Sequence, residues 1–491
     1  FTNENTDAKR IAVQQISPEM AKVRDYVPLY ACMAHRGSTY WAPEETEAAW
    51  RWARNMGADY LESDLQATKD GVVLANHDEN LKRTTNIEDV FSDEVPTIRK
   101  DFYRSFRNAD GTQHFTEQDI EEQYQRDKKD FRSNYTLSYY YAELLMLDAG
   151  KWFNDATPEQ ERASFAAKHN GKVVYDANGV PSIQYSDGLY VSALQDQINY
   201  AMGKKLKRDA NGRRVLTYKV KAEYQNMTLG ETAYVNDPAD NGNRPGIYPE
   251  FKESWLNPKD IEIRVYNILD EWGWNIITKP ESAGNQFYVG GKVNVGNTNG
   301  KVVLQTFSFD ALHRAYGVFK GKVPMCFLLW ISKPPYATDI AYDTPTGYAD
   351  FIKYAEDNGA HIIGPAISGA PNNYPEMNKP WQAYMIRKAG MLNHPYSFDS
   401  DAQMKRNMGY YVNFWGKNPT EFDDLLNVTV QPTAYTTFKE PDTHPVYMDG
   451  YFTNRSEISL HYMIENGFRC NAKLANPFHP GQLYDNSQAP S

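Results

Sequence analysis

Residues 29–85 read LYACMAHRGSTYWAPEETEAAWRWARNMGADYLESDLQATKDGVVLANHDENLKRTT, and the expected architecture starts from them. The apolar run at 30–34 predicts a short buried strand. A helix is predicted after Pro43, because apolar side chains recur there at helical spacing. A second strand is predicted at 59–65. Strand, helix and strand at this spacing predict a βαβ unit.

The same alternation returns in the second half of the chain. Strands are predicted at 246–252, 302–307, 325–331, 361–367, 391–396 and 447–453. Helices are predicted at 258–272, 310–319, 347–358, 379–389, 419–426 and 456–466. About eight strands that alternate with helices, without a glycine-rich dinucleotide fingerprint, favour an α/β (β/α)₈ TIM barrel over a doubly wound sheet.

A large inserted subdomain is predicted after the second strand unit. As many as 172 residues separate His77 from Glu250, whereas one strand–helix unit takes about 30 residues. Helices are predicted there at 158–168 and 191–203, and loops at 207–246. The expected division is a lead-in at 1–28, a barrel at 29–89 and 245–470, an inserted subdomain at 90–244 and a tail at 471–491.

Composition excludes several classes of protein. The net charge of −11 argues against a nucleic-acid partner, because backbone binding requires a basic face. No apolar run is long enough to predict a transmembrane segment. Cys32, Cys326 and Cys470 lack metal-ligand spacing and predict no disulfide framework, and the first two are expected to be small buried apolar residues.

Glu62 and Asp64 are candidate metal ligands. Alternate side chains of a strand share one face, so these two carboxylates lie side by side and repel unless a cation lies between them. Glu250 ends a later predicted strand, with Lys252 on the same face. Three carboxylates without a Cys or His cluster favour Ca²⁺ or Mg²⁺ over zinc. The alternative is a solvated acidic strand edge.

His35 and His77 are candidate acid–base residues, because both are predicted at strand-to-loop transitions around the acidic pair. Imidazole titrates near neutrality, so one ring can accept a proton while the other donates one. Arg36 and Lys252 are expected to neutralise a phosphate. The alternative for Arg36 is a salt bridge to Glu44 or Glu62. Structural roles are expected for His313, His394 and His461.

Several fragments resemble the glycerophosphodiester phosphodiesterase family. They are His35-Arg36-Gly37, Pro43-Glu44-Glu45-Thr46, Gly57-Ala58-Asp59, Glu62-Ser63-Asp64, Thr68-Lys69-Asp70-Gly71, His77-Asp78 and Leu81-Lys82-Arg83-Thr84-Thr85. Later fragments resemble the longer bacterial branch of that family, namely 246–252, 304–307, 394–396 and 450–453. The resemblance spans about residues 29–466 and is strongest in the first 60 residues of that span.

The resemblance implies a (β/α)₈ barrel with an insertion that hydrolyses small glycerophosphodiesters to glycerol 3-phosphate and an alcohol. It implies His35 and His77 as the acid–base pair, and Arg36 and Lys252 as phosphate ligands. It also implies one divalent cation, Ca²⁺ or Mg²⁺, on Glu62, Asp64 and Glu250. The substrate's glycerol hydroxyl is expected to attack first and give a cyclic phosphate that water opens.

The same resemblance, together with a chain that starts at Phe1 rather than Met, suggests a periplasmic or secreted protein whose leader was removed. Two positions depart from the family pattern. Glu45 stands where the family usually has Asn, and Asn454 stands where the closing Thr-Asp-x-Pro motif has Asp.

Two other functions stay open at this stage. A phospholipase D-like lyase would release a cyclic phosphate from an intact lipid. A non-catalytic barrel would bind a polyol or a phosphorylated glycan, although it would need no pair of proton carriers. The sequence indicates no oligomeric state.

Overall fold

The computed structural model describes most of the chain. The described residues are 4–40, 42–150, 153, 171–175, 181–185, 188–219, 228–232, 234–253, 257–330, 342–407 and 448–465. The helices predicted at 158–168 and 419–426, the tail at 471–491 and Cys470 lie outside these residues.

The described chain is an α/β structure. Its strands are β1 Ala31–Ala34, β2 Tyr60–Ala67, β3 Val73–Ala75, β4 Gly171–Tyr175, β5 Pro181–Tyr185, β6 Ser192–Ala193, β7 Lys204–Leu206, β8 Leu216–Lys219, β9 Thr228–Thr232, β10 Tyr234–Asn236, β11 Gly246–Phe251, β12 Tyr288–Val289, β13 Lys292–Val293, β14 Leu304–Thr306, β15 Met325–Leu329, β16 Ile362–Pro365, β17 Leu392–Asn393 and β18 Gly450–Thr453.

Its helices are α1 Glu4–Arg10, α2 Pro18–Arg24, α3 Glu47–Met56, α4 Ile87–Val90, α5 Ile98–Arg104, α6 Glu117–Asp130, α7 Tyr141–Leu144, α8 Leu194–Ala201, α9 Ile261–Glu271, α10 Phe309–Phe319, α11 Pro345–Asp357, α12 Pro380–Lys388, α13 Asp401–Asn407 and α14 Ser456–Glu465. Short 3₁₀ turns lie at His35–Gly37, Thr136–Ser138 and Val295–Asn297.

The main sheet is built from parallel strands in chain order. Its hydrogen-bonded path runs β17-β16-β15-β14-β11-β2-β1-β18, and each neighbouring pair on that path is parallel. Helices follow strands along the chain, as expected for parallel connections. Backbone hydrogen bonds also join the two ends of the path. Asp449 N–H donates to Asn393 O at 2.7 Å and Phe452 N–H donates to Pro395 O at 3.2 Å.

The strand β3 forms a hairpin with β2 and does not take a place in the parallel path. It pairs antiparallel with β2, with Leu65 opposite Ala75, and β6 pairs antiparallel with β3. β2 is therefore longer than predicted and extends beyond the acidic pair. This hairpin carries the chain to His77.

Part of the predicted insertion belongs to the main core. Residues between 74 and 149 form an apolar cluster of their own, joined by residues near 191–193. Leu194, Ile198 and Leu206, however, pack in the main hydrophobic core, and Gln197 Nε2 donates to the Leu61 carbonyl at 2.7 Å. Helix α8 thus covers β2, although it falls within the predicted insertion at 90–244. The region predicted as loops also contains β8, β9 and β10.

Helix α3 sets the geometry at the end of β1. Thr46 caps the start of this helix, because its side chain accepts a hydrogen bond from the Ala49 N–H. The helix ends at Gly57, whose φ is 107°. Its Trp50 is fully buried and donates from Nε1 to the Glu62 carbonyl at 3.1 Å. The helix is therefore fixed against the strand that carries the acidic pair.

The expectations for the buried residues are met. Cys32 and Cys326 are buried, and neither forms a disulfide with another described residue. His394 is buried inside the sheet and shares a hydrogen bond with the Tyr248 hydroxyl at 2.9 Å. Among the described residues, no helix has the length and apolar character needed to cross a membrane.

Candidate active site

Three carboxylates meet where β2 and β11 lie side by side. These strands are neighbours, and their register places Glu250 beside Asp64. Glu62, Asp64 and Glu250 each bring one oxygen into a group whose members all lie within 4.8 Å of one another. All three are buried, with 2%, 1% and 5% exposure. The parallel register therefore brings together residues that are 186 positions apart.

The charges in this cluster are not balanced. Burial and the Asp64 charge raise the pKa of Glu62 well above its ordinary value. Burial raises the pKa of Glu250 to about 7, although Lys252 opposes the shift. Burial also disfavours ionised Asp64, but the charges of Lys252 and Arg36 oppose it and help hold the pKa of Asp64 below its ordinary value. Three acids in so small a volume therefore favour an additional positive charge.

The donor set fits a hard divalent cation. Asp64 Oδ2 is buried and has no hydrogen-bond partner in the described part of the chain. Lys252 Nζ lies 2.9 Å from Glu250 Oε2 and 3.5 Å from Asp64 Oδ1, so an ammonium already occupies part of the acidic cluster. Carboxylate oxygens are the ligands that Ca²⁺ and Mg²⁺ prefer. The acidic cluster can therefore bind a metal ion.

A tight turn after β1 carries His35 and Arg36. Arg36 and Gly37 have φ values of 52° and 94°. A Cβ on Gly37 would lie 2.7 Å from the Ala49 Cβ, so both conformation and space demand glycine there. The turn aims the Arg36 backbone N–H at Glu62 Oε2, to which it donates at 2.6 Å. This hydrogen bond therefore fixes the Glu62 carboxylate of the acidic cluster relative to the turn.

The Arg36 side chain lies between two acids. Its Nη1 is 3.3 Å from Glu44 Oε2 and its Nε is 3.7 Å from Asp64 Oδ2. The salt bridge to Glu44, considered from the sequence, is thus present. Arg83 also binds Glu44, at 2.7 Å. Because Arg83 also pairs with Glu44, that acid does not use all the N–H donors of Arg36. The remaining donors of the guanidinium can bind an anion at the edge of the site.

His77 is held on both ring nitrogens. Its Nδ1 lies 2.6 Å from Asp78 Oδ1, and its Nε2 lies 3.1 Å from Lys252 Nζ. Lysine can only donate, so Nε2 accepts and the proton is on Nδ1, facing Asp78. Burial lowers the pKa of His77, although the Asp64 charge opposes it. Lys252 therefore links the acidic cluster to His77.

His35 makes a hydrogen bond through one of its two ring nitrogens. Its Nδ1 lies 2.8 Å from Asn454 Oδ1, and among the described residues Nε2 has no hydrogen-bond partner. Burial and the Arg36 charge lower the pKa of His35 to about 3. The ring is half-buried and electrically neutral near pH 7.

The structure adds residues that sequence reasoning did not assign to the site. Glu45 Oε1 accepts the Asp64 backbone N–H at 2.5 Å, and Gln305 Nε2 donates to Glu62 Oε1 at 3.1 Å. Gln305 lies beside Glu250 in the sheet register, so alignment of the predicted strand ends could have found it. Glu45 was noted only as a departure from a motif. Asp399, which binds Asn454, gave no sequence signal.

An aromatic wall lies at the carboxyl ends of the later strands. It consists of Phe307, Trp330, Tyr374 and Tyr396. Trp330 directly follows β15, and its ring is stacked on Tyr396 with centroids 6.4 Å apart. Burial and the Asp399 charge raise the pKa of Tyr374, although the Arg36 charge opposes the shift.

Comparison with known proteins gives consistent results. A profile of the glycerophosphoryl diester phosphodiesterase family matches residues 35–229. A glycerophosphodiester phosphodiesterase of Bacillus subtilis is 22% identical over 380 residues, covering 77% of this chain and 80% of that protein. The chain is therefore similar to the glycerophosphoryl diester phosphodiesterase family over residues 35–229, and to one of its members, at low identity, over most of its length.

Other relatives match a short part of this chain at higher identity or most of it at lower identity. A glycerophosphodiester phosphodiesterase of Caldanaerobacter subterraneus is 48% identical over 61 residues, which is 12% of this chain and 25% of that protein. A solved glycerophosphodiester phosphodiesterase of Agrobacterium tumefaciens has a TM-score of 0.40 and 16% identity, covering 88% of this chain and 98% of its own. A phosphodiesterase of Oleispira antarctica, solved with the product sn-glycerol-3-phosphate, has a TM-score of 0.41 and 12% identity, covering 88% and 96%.

Proposed function

We propose that this protein hydrolyses glycerophosphodiesters to glycerol 3-phosphate and an alcohol at the site formed by β1, β2 and β11. One observation carries the proposal. Glu62, Asp64 and Glu250 converge, and Lys252 joins this cluster to His77. The similarity to the glycerophosphoryl diester phosphodiesterase family agrees with the reaction class.

One divalent cation, Ca²⁺ or Mg²⁺, is proposed to bind Glu62, Asp64 and Glu250. When bound, it would neutralise these acids and polarise the phosphoryl oxygens. Gln305 supports this role by donating to Glu62 Oε1, which orients the carboxylate. Glu45 supports the position of Asp64 by accepting a hydrogen bond from the Asp64 backbone N–H.

The phosphate is proposed to bind between Arg36 and Lys252. Arg36 offers a planar set of donors, whereas Lys252 offers a compact charge. Both are half-buried, so their attraction for an anion is less screened than at an open surface. Lys252 now donates to His77 Nε2. Movement of its ammonium toward the phosphate would release that nitrogen for proton transfer.

The hydrogen bonds support different roles for the two histidines. His35 faces a neutral amide and has an unengaged Nε2, so it is suited to accept a proton from the attacking oxygen. His77 faces the Asp78 carboxylate, which stabilises the imidazolium. With Lys252 moved to the phosphate, His77 Nε2 can take up a proton from solvent, and the resulting imidazolium is suited to protonate the leaving alkoxide.

Two broader features are part of the same proposal. The parallel path is inferred to close as a (β/α)₈ barrel, supported by the hydrogen bonds from Asp449 and Phe452 to the segment after β17. A periplasmic or secreted location stays a prediction, which fractionation of the producing cells would test.

Activity is tested with glycerophosphocholine and Ca²⁺ or Mg²⁺, with glycerol 3-phosphate as the measured product. Chelation by EDTA should abolish turnover, and His77→Ala should lower kcat by about 100-fold or more. His313→Ala is the matched control, because His313 is an exposed residue of α10. Turnover that survives both EDTA and His77→Ala would contradict the proposal. Phosphorus NMR separates hydrolysis from a lyase that stops at the cyclic phosphate.

A further inference from the structure

Asp399 is a buried carboxylate outside the residues discussed for catalysis. It lies after β17 and is 8% exposed. Its Oδ1 accepts from the Asn454 backbone N–H at 2.7 Å and from the Thr453 hydroxyl at 3.4 Å. Its Oδ2 accepts from Asn454 Nδ2 at 3.1 Å, from Asn372 Nδ2 and from the Ser397 hydroxyl at 3.3 Å. So many donors hold the carboxylate in one place.

This carboxylate determines how the Asn454 amide is oriented. Because Asp399 takes the Nδ2 donor, the Asn454 carbonyl oxygen must point the other way, toward Thr39 and His35. The Thr39 hydroxyl donates to that oxygen at 2.9 Å. A reversed amide would place Oδ1 against the Asp399 carboxylate, where two acceptors repel. The amide therefore has one favourable orientation.

The oriented amide in turn determines where His35 carries its proton. Asn454 Oδ1 lies 2.8 Å from His35 Nδ1 and can only accept. A neutral His35 therefore carries its hydrogen on Nδ1, and its lone pair is on Nε2. The opposite tautomer would oppose two lone pairs at 2.8 Å and would leave no base at Nε2.

We propose that Asp399 is a positioning residue that acts through Asn454 to hold His35 in the tautomer with a free Nε2. Its importance for turnover rests on the proposed function, in which His35 Nε2 accepts a proton. The tautomer itself is a property of the resting protein. It can therefore be measured whether or not the proposed substrate is turned over.

The first test is imidazole ¹⁵N NMR on the full chain labelled at histidine, with His35 assigned by the loss of its signals in His35→Gln. The expected pattern is a protonated Nδ1 and an unprotonated Nε2 at neutral pH. A protonated Nε2 in the unsubstituted protein would overturn the proposal without touching the proposed function. Inactive protein with the expected tautomer would overturn only the proposed function.

The second test removes the Asp399 carboxylate that orients the Asn454 amide. Asp399→Ala should shift the His35 tautomer population toward a protonated Nε2 and lower kcat by about tenfold or more, with a small change in KM. Asp401→Ala is the matched control, since Asp401 is an exposed acid two residues away at the start of α13. It should leave the tautomer and kcat unchanged. An unchanged tautomer in Asp399→Ala would overturn the proposal.

The third test separates positioning from a merely structural role. A carboxylate at position 454 accepts on both oxygens and needs no orienting partner. The double variant Asp399→Ala/Asn454→Asp should therefore recover the Nδ1-protonated tautomer and at least half of the kcat lost in Asp399→Ala. If Asp399 only supported the fold, the second substitution would recover neither quantity. That result would overturn the proposal.

Discussion

Glu45 places a fourth acid beside the three candidate metal ligands. Its Oε1 accepts the Asp64 backbone N–H, while its Oε2 is buried without a hydrogen-bond partner. Burial and the neighbouring Asp64 and Glu62 charges raise its pKa well above the ordinary value. A cation bound to the neighbouring acids would favour the ionised form of Glu45, so the position contributes a fixed hydrogen bond and, with the cation bound, a charge. The two contributions are separable by substitution.

Replacing this acid with its amide should weaken cation binding. Glu45→Gln keeps an oxygen acceptor for the Asp64 N–H but removes the negative charge, so the dissociation constant for Ca²⁺ should rise about 3- to 10-fold. Isothermal titration calorimetry measures this change directly. Glu88→Gln, at an exposed residue of α4, should leave it unchanged. Equal affinity in Glu45→Gln and the unsubstituted protein would contradict the expectation.

At the scale of elements, the turn between β1 and α3 determines the site geometry. The Arg36 N–H reaches Glu62 only because the chain reverses at Gly37, against Ala49 of α3. Trp50 then fastens the same helix to β2. One turn therefore connects a strand, a helix and the acidic cluster.

Gly37→Ala should disturb both stability and activity. A methyl group there meets Ala49 at 2.7 Å and also has an unfavourable positive φ. We expect a loss of about 2 kcal/mol or more in the free energy of unfolding, and at least about tenfold in kcat. Gly111→Ala is a matched control, because Gly111 has a φ of 87° and no neighbour within 4 Å. It should cost about 1 kcal/mol and leave kcat unchanged. Equal effects of both variants in urea unfolding would contradict the steric argument.

At the scale of the whole molecule, the lead-in at 4–27 packs on the helices outside the sheet. Gln14 Nε2 donates to Asp357 Oδ1 at 2.8 Å, and the Ile16 N–H donates to the Ala389 carbonyl at 3.0 Å. This contact region also contains Glu356 of α11, where burial raises the pKa to about 8. Global stability should therefore depend on pH above the acid range.

The sign of that dependence follows from the raised pKa. In the unfolded chain Glu356 ionises near its ordinary pKa of 4.5, whereas in the folded protein it stays protonated up to about pH 8. Its contribution to stability is therefore complete below about pH 4.5 and is lost as the pH rises to 8. Glu356→Gln cannot ionise and should gain on the order of 1 kcal/mol or more relative to the unsubstituted protein between pH 5 and 8. Urea unfolding at several pH values measures this gain, and Glu19→Gln on the exposed face of α2 should show none.

The sequence by itself predicted the parallel strand–helix alternation and the faces of β2 and β11. Local periodicity carries this information, because a strand alternates its side chains and the carboxyl ends of parallel strands meet at one edge. The candidate ligands Glu62, Asp64 and Glu250 could be named for that reason. His35 and His77 could be named because they follow the strand ends.

Only the tertiary structure decided which groups hold those residues in place. Asp399 and Asn454 are 55 positions apart, and Glu45 reaches the Asp64 N–H from a different element. The assignment of α8 to the main core has the same origin. Such contacts depend on which distant segments the fold brings together, and on which atom of an amide or imidazole faces its neighbour. The local spacing of residues in the sequence determines neither property.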